Sequence, residues 1–116
     1  MTNHEKFLQA IHEIKIIKVK FNSHEKGIIE RLCLPFDFGP SRRNLKVNPD
    51  RYHLYDLDSP EGSHTLSILP EQLISIEITD MSFNPAQYIT WTPNWFIQRN
   101  YANHYKKLQQ HRSWDN

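Results

Sequence analysis

A single cysteine, Cys33, stands among 116 residues. That rules out an internal disulfide framework and any zinc site built from several thiolates. Cys33 sits in the apolar run "RLCLPF", where a small buried side chain is expected. Only three glycines are present, and none has the spacing of a phosphate-cradling loop or a dinucleotide fingerprint. No uninterrupted apolar stretch approaches the length that crosses a bilayer, so no membrane partner is expected. The opening "MTNHEKFLQAIHEIK" is charged throughout and has no apolar signal core, which points to a cytoplasmic protein. Residues 55–98 contain no lysine or arginine, but six acids. The flanking blocks are basic: ten Lys/Arg against six Asp/Glu in residues 1–54, and four against one in 99–116. A net charge of +1 hides this order. Either a basic face opposes an acidic one, or folding pairs the blocks with each other.

Reaction chemistry is thin as well. No Ser-His-Asp or Cys-His arrangement can be assembled, and Cys33 has only Arg31 as a nearby base. Glu30, Glu71 and Glu77 are scattered and lack the apolar surroundings that tune an acid/base pair. His53 and His64 would meet across neighbouring strands near Asp56 and Asp58, but no HxH or HxxxH spacing supports a metal. No catalytic residue, metal or cofactor is expected, and the reading is of a non-enzymatic protein.

What is present is a chain of one-domain size in which aromatics reach 12% and apolar residues 38%. Thr2 followed by Glu5 matches a capping box, and Phe7, Leu8, Ile11 and Ile14 recur at helical spacing. This predicts a helix over residues 3–13. The period then changes to two, with Ile17, Val19 and Phe21 alternating with Lys18 and Lys20. "NSHEKG" is a turn, and "IIERLCLPF" a second strand that Pro35 should end, bulge or leave at an edge. Phe36 to Pro49 reads as a long irregular connection. "RYHLYDL" is a third strand, "DSPEGS" a turn, "HTLSIL" a fourth strand, "PEQ" one 3₁₀ turn, and "LISIEI" a fifth strand with Ile74, Ile76 and Ile78 inward. Asn84 and Pro85 suit an N-cap and first helical position.

The fold class expected is mainly β (α+β). It is an SH3-like or Sm-like five-stranded barrel with an N-terminal helix and an aromatic-rich C-terminal extension. Five short antiparallel strands usually curl to remove exposed edges. Residues 1–90 would form the barrel and helix. Residues 91–116 would form an extension in which Trp91 and Trp95 pack back before a frayed, basic tail.

The order of helix, "KIIKVKF", "LPFDF", "DRYHLYDLD", "HTLSIL" and "ISIEI" resembles the WYL domain family, over roughly residues 5 to 85. Tyr52-His53-Leu54 stands where that family has its Trp-Tyr-Leu run, between Arg51 and Tyr55, and Pro35 also fits. The resemblance implies an Sm-like barrel of bacterial or phage origin, linked to transcription regulation. It would sense a nucleotide-type ligand or bind nucleic acid, and as a domain standing alone it would need a partner to act on DNA. The chain departs from the family in Tyr52 and His53, and in the absence of arginine from "HTLSILPEQL".

The loop "GPSRRNLKVNP" runs straight into the aromatic strand. Arginine's planar fork suits phosphate oxygens, and tyrosine rings stack on bases. Arg42, Arg43 and Arg51 are therefore candidate phosphate contacts, with Tyr52, His53 and Tyr55 stacking or orienting the ligand. The bland reading of Arg42, Arg43 and Lys46 is a solvated loop. The expected partner is a nucleotide-type ligand or single-stranded nucleic acid. The alternative is a protein–protein adaptor or homo-oligomer using the Trp91–Tyr101 segment or a barrel edge.

Overall fold

The structure, a computed structural model, describes residues 1–41, 49–89 and 94–99. It is mainly β: among the described residues, a five-stranded antiparallel sheet with one short helix packed on it, one 3₁₀ turn and one further helical turn.

Helix α1 (Asn3–Glu13) begins at the expected capping box. The Thr2 hydroxyl accepts from the Glu5 amide at 3.1 Å, and the Glu5 carboxylate accepts from the Thr2 amide at 3.0 Å. The helix ends at Ile14, which adopts left-handed geometry at φ 50°, uncommon for a β-branched residue. That turn lets the chain reverse at once into β1 (Lys15–Asn22).

β2 (Ile28–Gly39) is longer than the sequence suggested. Phe36 to Gly39, expected to be irregular, continues the strand and pairs with β3 (Arg51–Asp56). A register shift falls between Pro35 and Asp37, so Phe36 is an extra residue. Proline cannot donate to the ladder, and the bulge removes the need for it to do so. β4 (His64–Ile68), the 3₁₀ turn Pro70–Gln72 and β5 (Leu73–Ser82) follow. Asn84 caps α2 (Pro85–Tyr88), accepting from the Ala86 amide at 3.1 Å.

The strand order is β4-β3-β2-β1-β5. The sheet is not closed: among the described residues β4 and β5 are its two edges and do not pair with each other. A partly open barrel with the helix over one end was expected from the number and shortness of the strands; the fold is mainly β and its sheet antiparallel as expected, and the sheet stays open. Two pieces of the chain cover the two faces.

On one face α1 buries Phe7, Ala10 and Ile11 against Ile17, Val19, Cys33, Tyr52, Leu54, Ile68 and Ile76. Each large side chain buried this way contributes roughly 1.5–3 kcal/mol. The other face carries a second cluster of Leu34, Phe36, Phe83 and Ile89, with Tyr55, Tyr88 and Trp95 against it. The inward set on β5 differs from the alternation read in "LISIEI". Val19 stands opposite Ile76 but Phe21 stands opposite Leu73, so Ile74 is the extra residue of a second bulge. Leu73 goes to the core in its place, and Ile74 is 43% exposed.

Candidate functional site

By alternation, β2 directs Ile29, Arg31 and Cys33 to the face that α1 covers, and β3 directs Tyr52, Leu54 and Asp56 to the same side. Part of that face stays open beyond the helix. There a cleft of about 270 Å³ opens between the β1–β2 turn, the β3–β4 turn and β4. Its apolar floor is Phe21, Ile29, Leu66 and Ile68. Its rim carries Ser23, Ser59, Gln72 and His64.

Charge of both signs lines the walls. Arg31 lies 3.6 Å (Nε) from the Asp56 carboxylate, and both side chains are largely buried. Asp56 is itself held by the amide of Asp58 at 2.9 Å, and Arg31 also donates to the Glu30 carbonyl at 3.1 Å. The guanidinium is therefore fixed in place. Across the mouth, Lys26 pairs with Glu61 at 3.4 Å and ties one turn to the other. Cys33 lies behind this site, and its thiol pKa is pushed far above the ordinary range, by burial first and by the charge of Asp56 second. It is a packed, protonated side chain with no thiolate chemistry.

Of the residues singled out from the sequence, those that are described do not converge. Arg42, Arg43 and Lys46 lie outside the described residues. Arg51 is half-exposed at the start of β3, opposite Gly39. Tyr52 is 5% exposed under α1. Its ring packs on Phe7 and Phe38 and its hydroxyl lies 2.8 Å from His4 Nδ1, which leaves no face for a base. Burial pushes its pKa up.

His53 and Tyr55 point to the opposite face. His53 Nε2 lies 2.8 Å from the Gly39 carbonyl and so must donate to it. In the neutral ring Nδ1 then accepts from the Ser67 hydroxyl at 2.9 Å. The imidazole thus spans β2, β3 and β4. Tyr55 stacks on Phe36 and packs against Tyr88. Among the described candidates, Arg51, Tyr52, His53 and Tyr55, none lines the cleft. His64 does, but its Nδ1 bonds the Gly62 carbonyl at 2.9 Å.

One feature of the opposite face had no sequence signal. The buried carboxylate of Asp37 accepts from two successive backbone amides, those of Phe96 and Ile97, each at 2.9 Å. Arg99 Nη2 lies 3.4 Å from the same carboxylate, and the Arg99 guanidinium sits 3.9 Å above the Trp95 ring. Residues 94–99 form a strap on the sheet, and the Trp95 ring packs on Phe36. Gly39 allows the close approach: a Cβ there would lie 2.5 Å from the Phe96 ring. Trp91 lies outside the described residues.

Arg31 was the clue to the cleft. It sits among apolar neighbours on the inward set of β2, and Asp56 does the same on β3. Inward charges of opposite sign on paired strands point to a buried polar site.

Among the described residues no group of three His, Cys, Asp or Glu is placed to hold a metal ion, and no helix is long and apolar enough to cross a membrane. No family model, curated protein or solved structure matches this chain.

Proposed function

We propose that this chain is a non-enzymatic, ligand-sensing domain of WYL type that takes a nucleotide-type ligand in the cleft beside Arg31. The observation that carries the reading is how the cleft is built. A flat heterocycle loses water against the floor of Phe21, Ile29, Leu66 and Ile68, while hydroxyls, Gln72 and His64 line the rim for sugar and base edges. The volume of about 270 Å³ lies just below the ~300–1,000 Å³ usual for drug-sized ligands. It therefore suits one nucleotide unit, free or within a single strand. An SH3-like or Sm-like half-barrel is part of this reading. Its support is the strand order, with one 3₁₀ turn joining the two edge strands. In regulating transcription, a protein partner would then read the loaded state.

Calorimetric titration with the common nucleosides, their monophosphates and a labelled single-stranded oligonucleotide tests the reading. Millimolar or tighter binding to at least one is expected. Silence across the whole panel overturns it.

A second reading, a protein–protein adaptor, is favoured by the β5 edge, where Ile74 and Met81 are 43% and 48% exposed. Light scattering after size exclusion separates the two: a strict monomer at high concentration counts against self-association through this edge.

A further inference from the structure

We infer that the cleft reads the uncharged part of its ligand, the base and sugar, and excludes the phosphate. This rests on the nucleotide reading above. The argument is the sign of the walls. Two cations, Lys26 and Arg31, face three carboxylates, Glu25, Asp56 and Glu61, so with His64 neutral the lining carries one negative charge in excess. Both cations are also engaged, Lys26 with Glu61 at 3.4 Å and Arg31 with Asp56 at 3.6 Å. A phosphate seated here would have to displace a carboxylate from its partner and then sit beside it. Like charges at such separations repel strongly once water is excluded.

A neutral nucleoside meets no such barrier. Arg31, held by Asp56, still offers Nη2, which has no partner among the described residues, to a carbonyl or ring nitrogen of a base. The phosphate end of a nucleotide therefore projects past the Lys26–Glu61 pair into solvent, and the site does not sense phosphorylation state.

The test compares adenosine, guanosine, cytidine and uridine with their monophosphates on the full chain and on the Glu25→Gln/Glu61→Gln variant. Both positions are exposed turn residues, so the fold is kept. On the unmodified chain, the tightest nucleoside and its monophosphate are expected to bind within about threefold of each other, with little dependence on salt. In the variant, monophosphate binding is expected to tighten about fivefold or more while nucleoside binding stays level. A monophosphate preferred by more than about tenfold on the unmodified chain overturns the inference but leaves the nucleotide reading standing. So does a variant that treats both ligands as the unmodified chain does. If neither nucleosides nor monophosphates bind the unmodified chain, it is the nucleotide reading that falls.

Discussion

Gly39 shows how much one missing methyl group decides. A Cβ at this position would sit 2.5 Å from the Phe96 ring, too close for any real contact. Gly39→Ala is expected to lower stability by about 1–3 kcal/mol in urea unfolding, as overpacking does. In a Phe96→Ala background the same change should cost little, and a double-mutant cycle showing no coupling between the two would refute the contact. Glu5 titrates at the other end of the chain. Its pKa is held below the ordinary glutamate value, chiefly because the Thr2 amide donates to its carboxylate and secondarily because the Thr2 side chain does. A depressed folded-state pKa stabilises the fold above the unfolded value, and that support is lost as pH falls through the folded value. Protection of the first-turn amides of α1, taken relative to their intrinsic exchange rates, should therefore fall on acidification below the usual glutamate range, and Glu5→Gln should remove that pH dependence. The capping box was legible in the sequence because its spacing is local. The role of Tyr52 was not, since alternation shows that Tyr52 and His53 oppose each other but not which of the two faces a helix.

Elements were read well where one strong local signal set them, and poorly where a bulge changed the facing. Pro35 announced the bulge in β2, but Ile74 gave no such notice, because an isoleucine run looks the same with or without an extra residue. The edges are handled unequally. Asn3, in the first turn of α1, donates to the Ile74 carbonyl and accepts from the Ile76 amide, both at 3.1 Å. Its carboxamide thus occupies backbone groups that a further strand would need, a guard against edge-to-edge pairing. Asn3→Ala should cost about 1 kcal/mol and raise self-association in light scattering; an unchanged monomer at high concentration would show that the guard is dispensable. The strap depends more heavily on one group. Asp37→Ala leaves two amides and an arginine without their shared acceptor, and should cost about 3 kcal/mol. Hydrogen exchange confined to residues 94–99 and the Gly39 region should report the release. Nothing in "LPFDF" marked this aspartate, since its donors lie 59 and 60 positions away.

At the scale of the whole molecule, the ion pairs show how the charge blocks meet. Lys18 lies between Glu30 and Glu77, Lys26 meets Glu61, Arg31 meets Asp56, and Arg99 reaches back to Asp37. Three of these pairings join a basic flank to the acidic middle (Lys18–Glu77, Lys26–Glu61 and Arg31–Asp56). The exposed pairs are worth little singly, so Lys18→Gln should change stability by less than about 1 kcal/mol. Cys33 reports on the fold as a unit. Buried and with a raised pKa, it should resist thiol reagents in the native state and react at a rate set by unfolding.

The strap also sets an order of assembly during synthesis. The ribosome delivers Asp37 long before Phe96 and Ile97, because the chain grows from its N-terminus. Through that interval the C-terminal end of β2 carries an acid that no amide has yet claimed, and Phe36 beside it has no Trp95 to cover it. The nascent sheet therefore leaves the tunnel with one flank finished by α1 and the other still bare. A stretch that emerges 59 to 60 residues after Asp37 is the one that seals it.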